Sequence, residues 1–314
     1  MKTAKKVNLK KVIICIVVCL LIIATIVVGN QYLIRTCKDV YFVKSGVKGR
    51  GSVICQFIAS ENKIVEICAI KGYIGQNNIA LTSDKRKIIG STYTSGETYI
   101  FRYDIESQTM EKYILVSEIA EQLEMTIMYA EWYSDDGRYV NSFLSSDERN
   151  ITVQFDLETG TYEIMDAISL SCVEESEQHV FYTTMHTFCQ YDKEGQQHEV
   201  LLEHVGSFKL SDDGDRIIYV TPMEVLGNDD YGRELYCYEI SSGSIIELTK
   251  VNSQRFKIRD FTWLGENYAY VKSCSGLEGE AFIAIYTQDA WGNDRAIYRE
   301  WDMDVNTIFL IKEL

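Results

Sequence analysis

One proline, Pro222, is all that 314 residues contain, which excludes a proline-rich linker. Other signals are missing too. No GxSxG stretch offers the nucleophile elbow of a hydrolase, and no glycine-rich loop follows a strand to cradle phosphate. Cysteine spacing shows neither CxxC nor CxxH, so no zinc motif is present, and the sequence calls for no metal and no cofactor. Basic residues are few: 31 Lys and Arg against 46 Asp and Glu. Five of those bases, Lys2, Lys5, Lys6, Lys10 and Lys11, sit at the N-terminus. Without them, residues 30–314 carry a formal charge of −20. Such a surface repels phosphate backbones and anionic headgroups, which argues against nucleic acid as a partner. It keeps an exported domain soluble, and leaves a cationic partner as the sharper alternative.

An uncharged apolar run comes after the lysines, from Val12 to Gly29, and extends through Tyr32-Leu33-Ile34 to Arg35. About 20 apolar residues cross the hydrocarbon core as a helix. A cleaved signal peptide has a shorter apolar region, about 7–15 residues, ending at small residues, and Val27-Val28-Gly29-Asn30 offers no such site. The sequence therefore predicts a basic cytoplasmic tail over 1–11, a transmembrane signal-anchor helix over 12–34, and an extracytoplasmic domain over 35–314. Lysine excess before the span places the N-terminus inside.

The rest of the chain repeats. Aromatic residues close apolar runs at Phe57, Tyr103, Phe155, Tyr191, Tyr238 and Tyr286, each succeeded by a polar turn and another apolar run. A period of about 40–50 residues built of strands and turns marks a β-propeller. The fold class is all-β: six four-stranded antiparallel blades after one N-terminal transmembrane helix. The third blade reads as 128–133, 138–144, 151–157 and 161–165, the fifth as 207–210, 216–220, 234–240 and 244–248. The first has only three strands after the span, at 40–43, 52–58 and 63–69. A strand at 306–311 is left over, and the raw edges of an open ring predict that it completes the first blade. Ser117, ahead of Glu118, Glu121 and Glu124, predicts a short capped helix between the second and third blades.

A second signature precedes the anchors. Trp132-Tyr133-Ser134-Asp135-Asp136-Gly137-Arg138 matches Leu210-Ser211-Asp212-Asp213-Gly214-Asp215-Arg216, with Ser83-Asp84-Lys85-Arg86 a partial copy. Glycine supplies the positive φ of the turn, and the Asp side chain can bond its own backbone two residues on. Strand, Ser-x-Asp-Gly, strand, then a strand ending in Tyr-Asp resembles the TolB-like propeller repeat, found also in the propellers of prolyl oligopeptidases and dipeptidyl peptidases. The resemblance implies the fold. Those peptidases carry Ser, Asp and His on a separate hydrolase domain, and this chain ends with its propeller, so their activity does not transfer. No catalytic residue is assigned.

Candidate binding residues gather in the excursion at 221–233: Glu224, Asn228, Asp229, Asp230, Tyr231 and Arg233, since loops on a rigid scaffold carry function. Asn228-Asp229-Asp230 lacks the alternate spacing of a calcium loop. A weaker candidate is the matching loop 273–280, loosened by Gly276 and Gly279. All four histidines fall between His179 and His204, where strand and turn positions suit surface histidines better than a metal site. A two-residue turn at Glu61-Asn62 would set Cys55 opposite Cys68, as a disulfide or as packed thiols.

These features predict a non-catalytic binding or scaffold module at the membrane surface, with a protein, peptide or envelope component as partner. The alternative is an enzyme that processes glycans or small molecules with carboxylates converging in the channel. A structural remnant of a peptidase propeller is the third possibility.

Overall fold

Strands of alternating residues, each bounded by a tight turn, cannot bury two faces of one small sheet, and here they do so by stacking radially. The computed structural model describes residues 9–75, 78–134, 136–146, 150–166, 171–176, 178–184, 186–221, 234–249, 256–274, 282–301 and 307–313. Helix α1 spans Leu9–Ile34, and its stretch Ile16–Ile34 is long and apolar enough to cross a membrane.

Six sheets succeed the helix. The first blade holds β1 (Val40–Val47), β2 (Gly51–Ile58) and β3 (Lys63–Ile70), the second β4 (Ile79–Leu81), β5 (Lys87–Thr94), β6 (Glu97–Asp104) and β7 (Thr109–Leu115). After α2 (Val116–Gln122), the third holds β8 (Thr126–Tyr133), β9 (Tyr139–Ser145), β10 (Asn150–Asp156) and β11 (Thr161–Asp166). The fourth holds β12 (Ser171–Glu175), β13 (His179–Thr184), β14 (Thr187–Asp192) and β15 (Gln197–Glu203). The fifth holds β16 (Ser207–Leu210), β17 (Arg216–Val220), β18 (Leu235–Glu239) and β19 (Ser244–Glu247). The sixth holds β20 (Phe256–Leu264), β21 (Asn267–Cys274), β22 (Phe282–Gln288) and β23 (Asp294–Glu300).

The ring closes as expected. Strand β24 (Thr307–Leu310) pairs antiparallel with β1, Leu310 opposite Phe42, as the innermost strand of the first blade. Two further residues, Lys312–Glu313, form β25 and pair parallel with β4 of the second blade. The sequence gives no sign of that second pairing, which makes the C-terminus a clasp on two blades.

Apolar clusters lie between blades. Phe42, Cys55 and Phe57 of the first pack with Ala269, Val271 and Ile285 of the sixth. Its other face, Val43 and Ile54, packs with Leu81, Ile88 and Phe101 of the second. Further clusters join the second blade to the third, the fourth to the fifth and the fifth to the sixth. Turn chemistry sets the register. In three blades a hydroxyl (Thr82, Ser134, Ser211) donates to the Asp two residues on, at 2.5–2.6 Å. Each carboxylate then accepts the amide two residues further, from Arg86, Arg138 and Asp215. Gly137 has φ +69° and lies against Ile89 and Thr82 of the neighbouring blade.

Two local expectations fail. Helix α2 begins at Val116 with no side-chain cap on its N-terminus. Ser117 instead accepts the Thr98 amide at 2.7 Å, tying the helix to β6, while Val116 and Ala120 enter the core beside the third blade. Cys55 does not face Cys68. The turn is four residues long, Ala59–Asn62, with Asn62 left-handed at φ 49°. A bulge between Ile54 and Cys55 then sets Cys55 opposite Glu66 and Cys68 opposite Ile54. One residue of register changes the face, so Cys55 joins the sixth-blade side and Cys68 the second-blade side. Both are free thiols, as are Cys37 and Cys189. Burial pushes Cys55 up to about 11 and Cys68 to about 12, which keeps them protonated and unreactive.

Candidate functional site at the propeller axis

Innermost strands of separate blades meet around the axis, so any charge on them is brought close to charges far away in sequence. Glu174 on β12 is the focus. Its carboxylate accepts Lys312 Nζ from β25 and lies 3.8 Å from Lys209 Nζ of β16. Three inner strands thus converge on one buried acid, whose side chain is 11% exposed. Such a charge is tolerated in a partly dry place only when paired, and two ammonium groups pair this one.

A second acid lies two blades round. Asp260 of β20, 4% exposed, accepts the Leu310 amide at 2.7 Å through Oδ2 and the Phe261 amide at 2.9 Å through Oδ1. Leu310 is on the closing strand β24, and its N–H is turned from the β1 ladder toward the sixth blade. Asp260 therefore satisfies a donor that burial would otherwise penalise. Both axial acids, Glu174 and Asp260, bind the C-terminal clasp.

Chemically, these two acids are committed to ion pairs and amides. Glycoside hydrolysis needs one carboxyl to give a proton and another to attack or to activate water. Neither axial acid is free for that while the clasp is seated. The six candidate residues read from the sequence, Glu224, Asn228, Asp229, Asp230, Tyr231 and Arg233, lie outside the described residues, as do 275–280 of the matching loop. Sequence reasoning missed Glu174, Lys209, Lys312 and Asp260. A signal existed: Lys209 is a charge between Phe208 and Leu210 in a four-residue innermost strand.

Among the described residues no group of His, Cys, Asp and Glu is placed to hold a metal. His186 and His204 occupy turns with φ 66° and 64°. His198 Nδ1 lies 2.7 Å from the Tyr182 hydroxyl, and its ring packs 4.7 Å from that of Tyr191.

Solved structures share this architecture. TolB from Acinetobacter baumannii superposes with a TM-score of 0.54 at 12% identity, over 87% of this chain and 66% of that one. The fold is a TolB-like six-bladed propeller. A TolB-type protein of Agrobacterium tumefaciens gives 0.51 at 9% identity, over 84% of this chain and 89% of its own. A chain of the nidogen/laminin complex gives 0.53 at 9% identity, over 88% and 98%. The present chain spans just under two thirds of the Acinetobacter TolB. Its sequence matches no protein-family profile and no curated protein. At such low identities the TolB-like likeness concerns the fold alone.

Proposed function

We propose that this TolB-like propeller is a membrane-anchored, non-catalytic binding module that holds a protein or peptide of the cell envelope outside the membrane. One observation carries the reading: both axial acids hold the C-terminal clasp instead of standing free for chemistry. An apolar span behind five lysines supports an inside N-terminus, with a tail over 1–11, an anchor over 12–34 and the propeller beyond. The nidogen/laminin complex, which holds a disc of this kind, supports a protein partner. The loop 221–233, with Glu224, Asn228, Asp229, Asp230, Tyr231 and Arg233, is the partner-facing element.

In-cell photo-crosslinking tests this. A photoreactive residue in place of Tyr231 should trap one discrete envelope-protein adduct, absent when the probe replaces Ile245 on the outer strand β19. Equal trapping at both positions, or none at Tyr231, contradicts the assignment.

A further inference from the structure

The turn from β22 to β23 is built rigidly and then left bare. Asp289, with 1% exposure, accepts the amides of Trp291 and Asn293 and the Arg295 guanidinium, at 2.8–3.0 Å. Burial alone would raise its carboxyl, yet these donors hold it below the usual range. On top of this anchored turn Trp291 is 61% exposed.

The turn does not stand at a random edge of the disc. The Ala290 amide donates to Thr36 Oγ1 at 3.1 Å, two residues past the end of α1. Cys37 and Ile34 pack into the cluster between the first and sixth blades. Asp39 accepts the Ala59 amide at 2.9 Å. Beside that turn, the end of α1 (Ile26, Val27, Gly29, Asn30, Gln31, Leu33 and Ile34) lines a groove together with Arg295 of β23 and Asn62 of the β2–β3 turn. A 26-residue helix is about 39 Å long, whereas the hydrocarbon core is about 30 Å and the bilayer with headgroups about 40–45 Å. The last turn of α1 thus reaches the headgroup level, where tryptophan and tyrosine concentrate. Tyr32 is exposed there as well.

We propose that this elbow is a lipid-contact surface. A phospholipid of the outer leaflet fills the groove, its acyl chain against the helix and its headgroup level with Asn62 and Arg295, and Trp291 lies in the same headgroup zone. The proposal rests on α1 spanning the membrane. It adds that the sixth blade itself touches lipid, beside a domain whose net charge would otherwise keep it off an anionic surface.

Trp301 provides the control. It is exposed on the same blade at the far end of β23, a seven-residue strand, roughly 20 Å away. The full chain is reconstituted into phosphatidylcholine vesicles whose lipid is brominated either near the headgroup end or near the terminus of the acyl chain. Tryptophan emission of the wild type should be quenched, more by the shallow bromines than by the deep ones. Trp291→Phe should lose most of that quenching and Trp301→Phe should keep it. A chain that floats with vesicles but shows no quenching, or keeps it in Trp291→Phe, overturns the lipid contact alone. Failure to float overturns the anchor and the contact together.

Discussion

Glu174, on the innermost strand of the fourth blade, pairs with Lys312 of the C-terminal strand β25, 138 residues later. The pair ties the clasp strand on the second blade to the innermost strand of the fourth. Lys209 approaches the same carboxylate from the fifth blade. Glu174→Ala should therefore destabilise the propeller by about 1–2 kcal/mol, less than a fully buried pair because Lys312 is 35% exposed. Urea unfolding of the detergent-solubilised chain reads this, and Glu174→Gln should cost less.

The clasp itself is the stronger lever. Deleting residues 302–314 removes β24 and β25, opens an edge on the first blade and takes the Leu310 amide from Asp260 and Lys312 from Glu174. The melting curve should lose its cooperative transition. An unchanged melt would show that the ring does not depend on closure.

Asp260→Ala leaves the Leu310 amide buried without an acceptor and should cost about 1–3 kcal/mol. Asp260→Asn keeps one acceptor oxygen for two amides, those of Leu310 and Phe261, and should recover only part of that loss. Equal damage from both would show that the Leu310 amide gains nothing from a single remaining acceptor.

Glycines in two similar turns separate backbone strain from packing. Gly160 has φ +73° and open space around it, whereas an added Cβ at Gly137 meets Ile89 Cδ1 at 2.4 Å. Gly160→Ala should cost about 1–2 kcal/mol from the left-handed backbone alone, and Gly137→Ala measurably more. The comparison is read from paired unfolding curves.

Acid should loosen the turns. The Thr82, Ser134 and Ser211 hydroxyls, then backbone amides, hold Asp84, Asp136 and Asp213 below their usual value. Carboxyls lowered by folding stabilise above their unfolded value of about 3.9, and that contribution is lost as pH falls through the folded value. Stability should decline below about pH 4, with a shallower decline in the Asp84→Asn, Asp136→Asn, Asp213→Asn triple variant.

Much of the fold was legible in the sequence, because alternation and turn chemistry are local. Ser134-Asp135-Asp136-Gly137 announced its turn, and the surplus strand at 306–311 announced the closure. Register was less legible: a single bulge at Ile54/Cys55 moved Cys68 to the other face, and no local pattern marks a bulge. Ser117 looked like a cap but serves a tertiary bond to Thr98. Of the axial residues only Lys209 left a local trace, a charge between Phe208 and Leu210; Glu174, Lys209 and Lys312 meet, and Asp260 reaches Leu310, only when inner strands from distant repeats are brought round one axis. The six loop residues of 221–233 stand as a proposal from chain rhythm.

The claim that the axis holds the ring together and does no chemistry is tested most directly at Glu174. Envelope extract and its soluble glycans are incubated with wild-type protein and with folded Glu174→Gln, and all small products are compared by mass spectrometry. The account predicts identical profiles, each matching extract without protein. A product formed by the wild type and missing with Glu174→Gln would contradict it and make the axial acid catalytic.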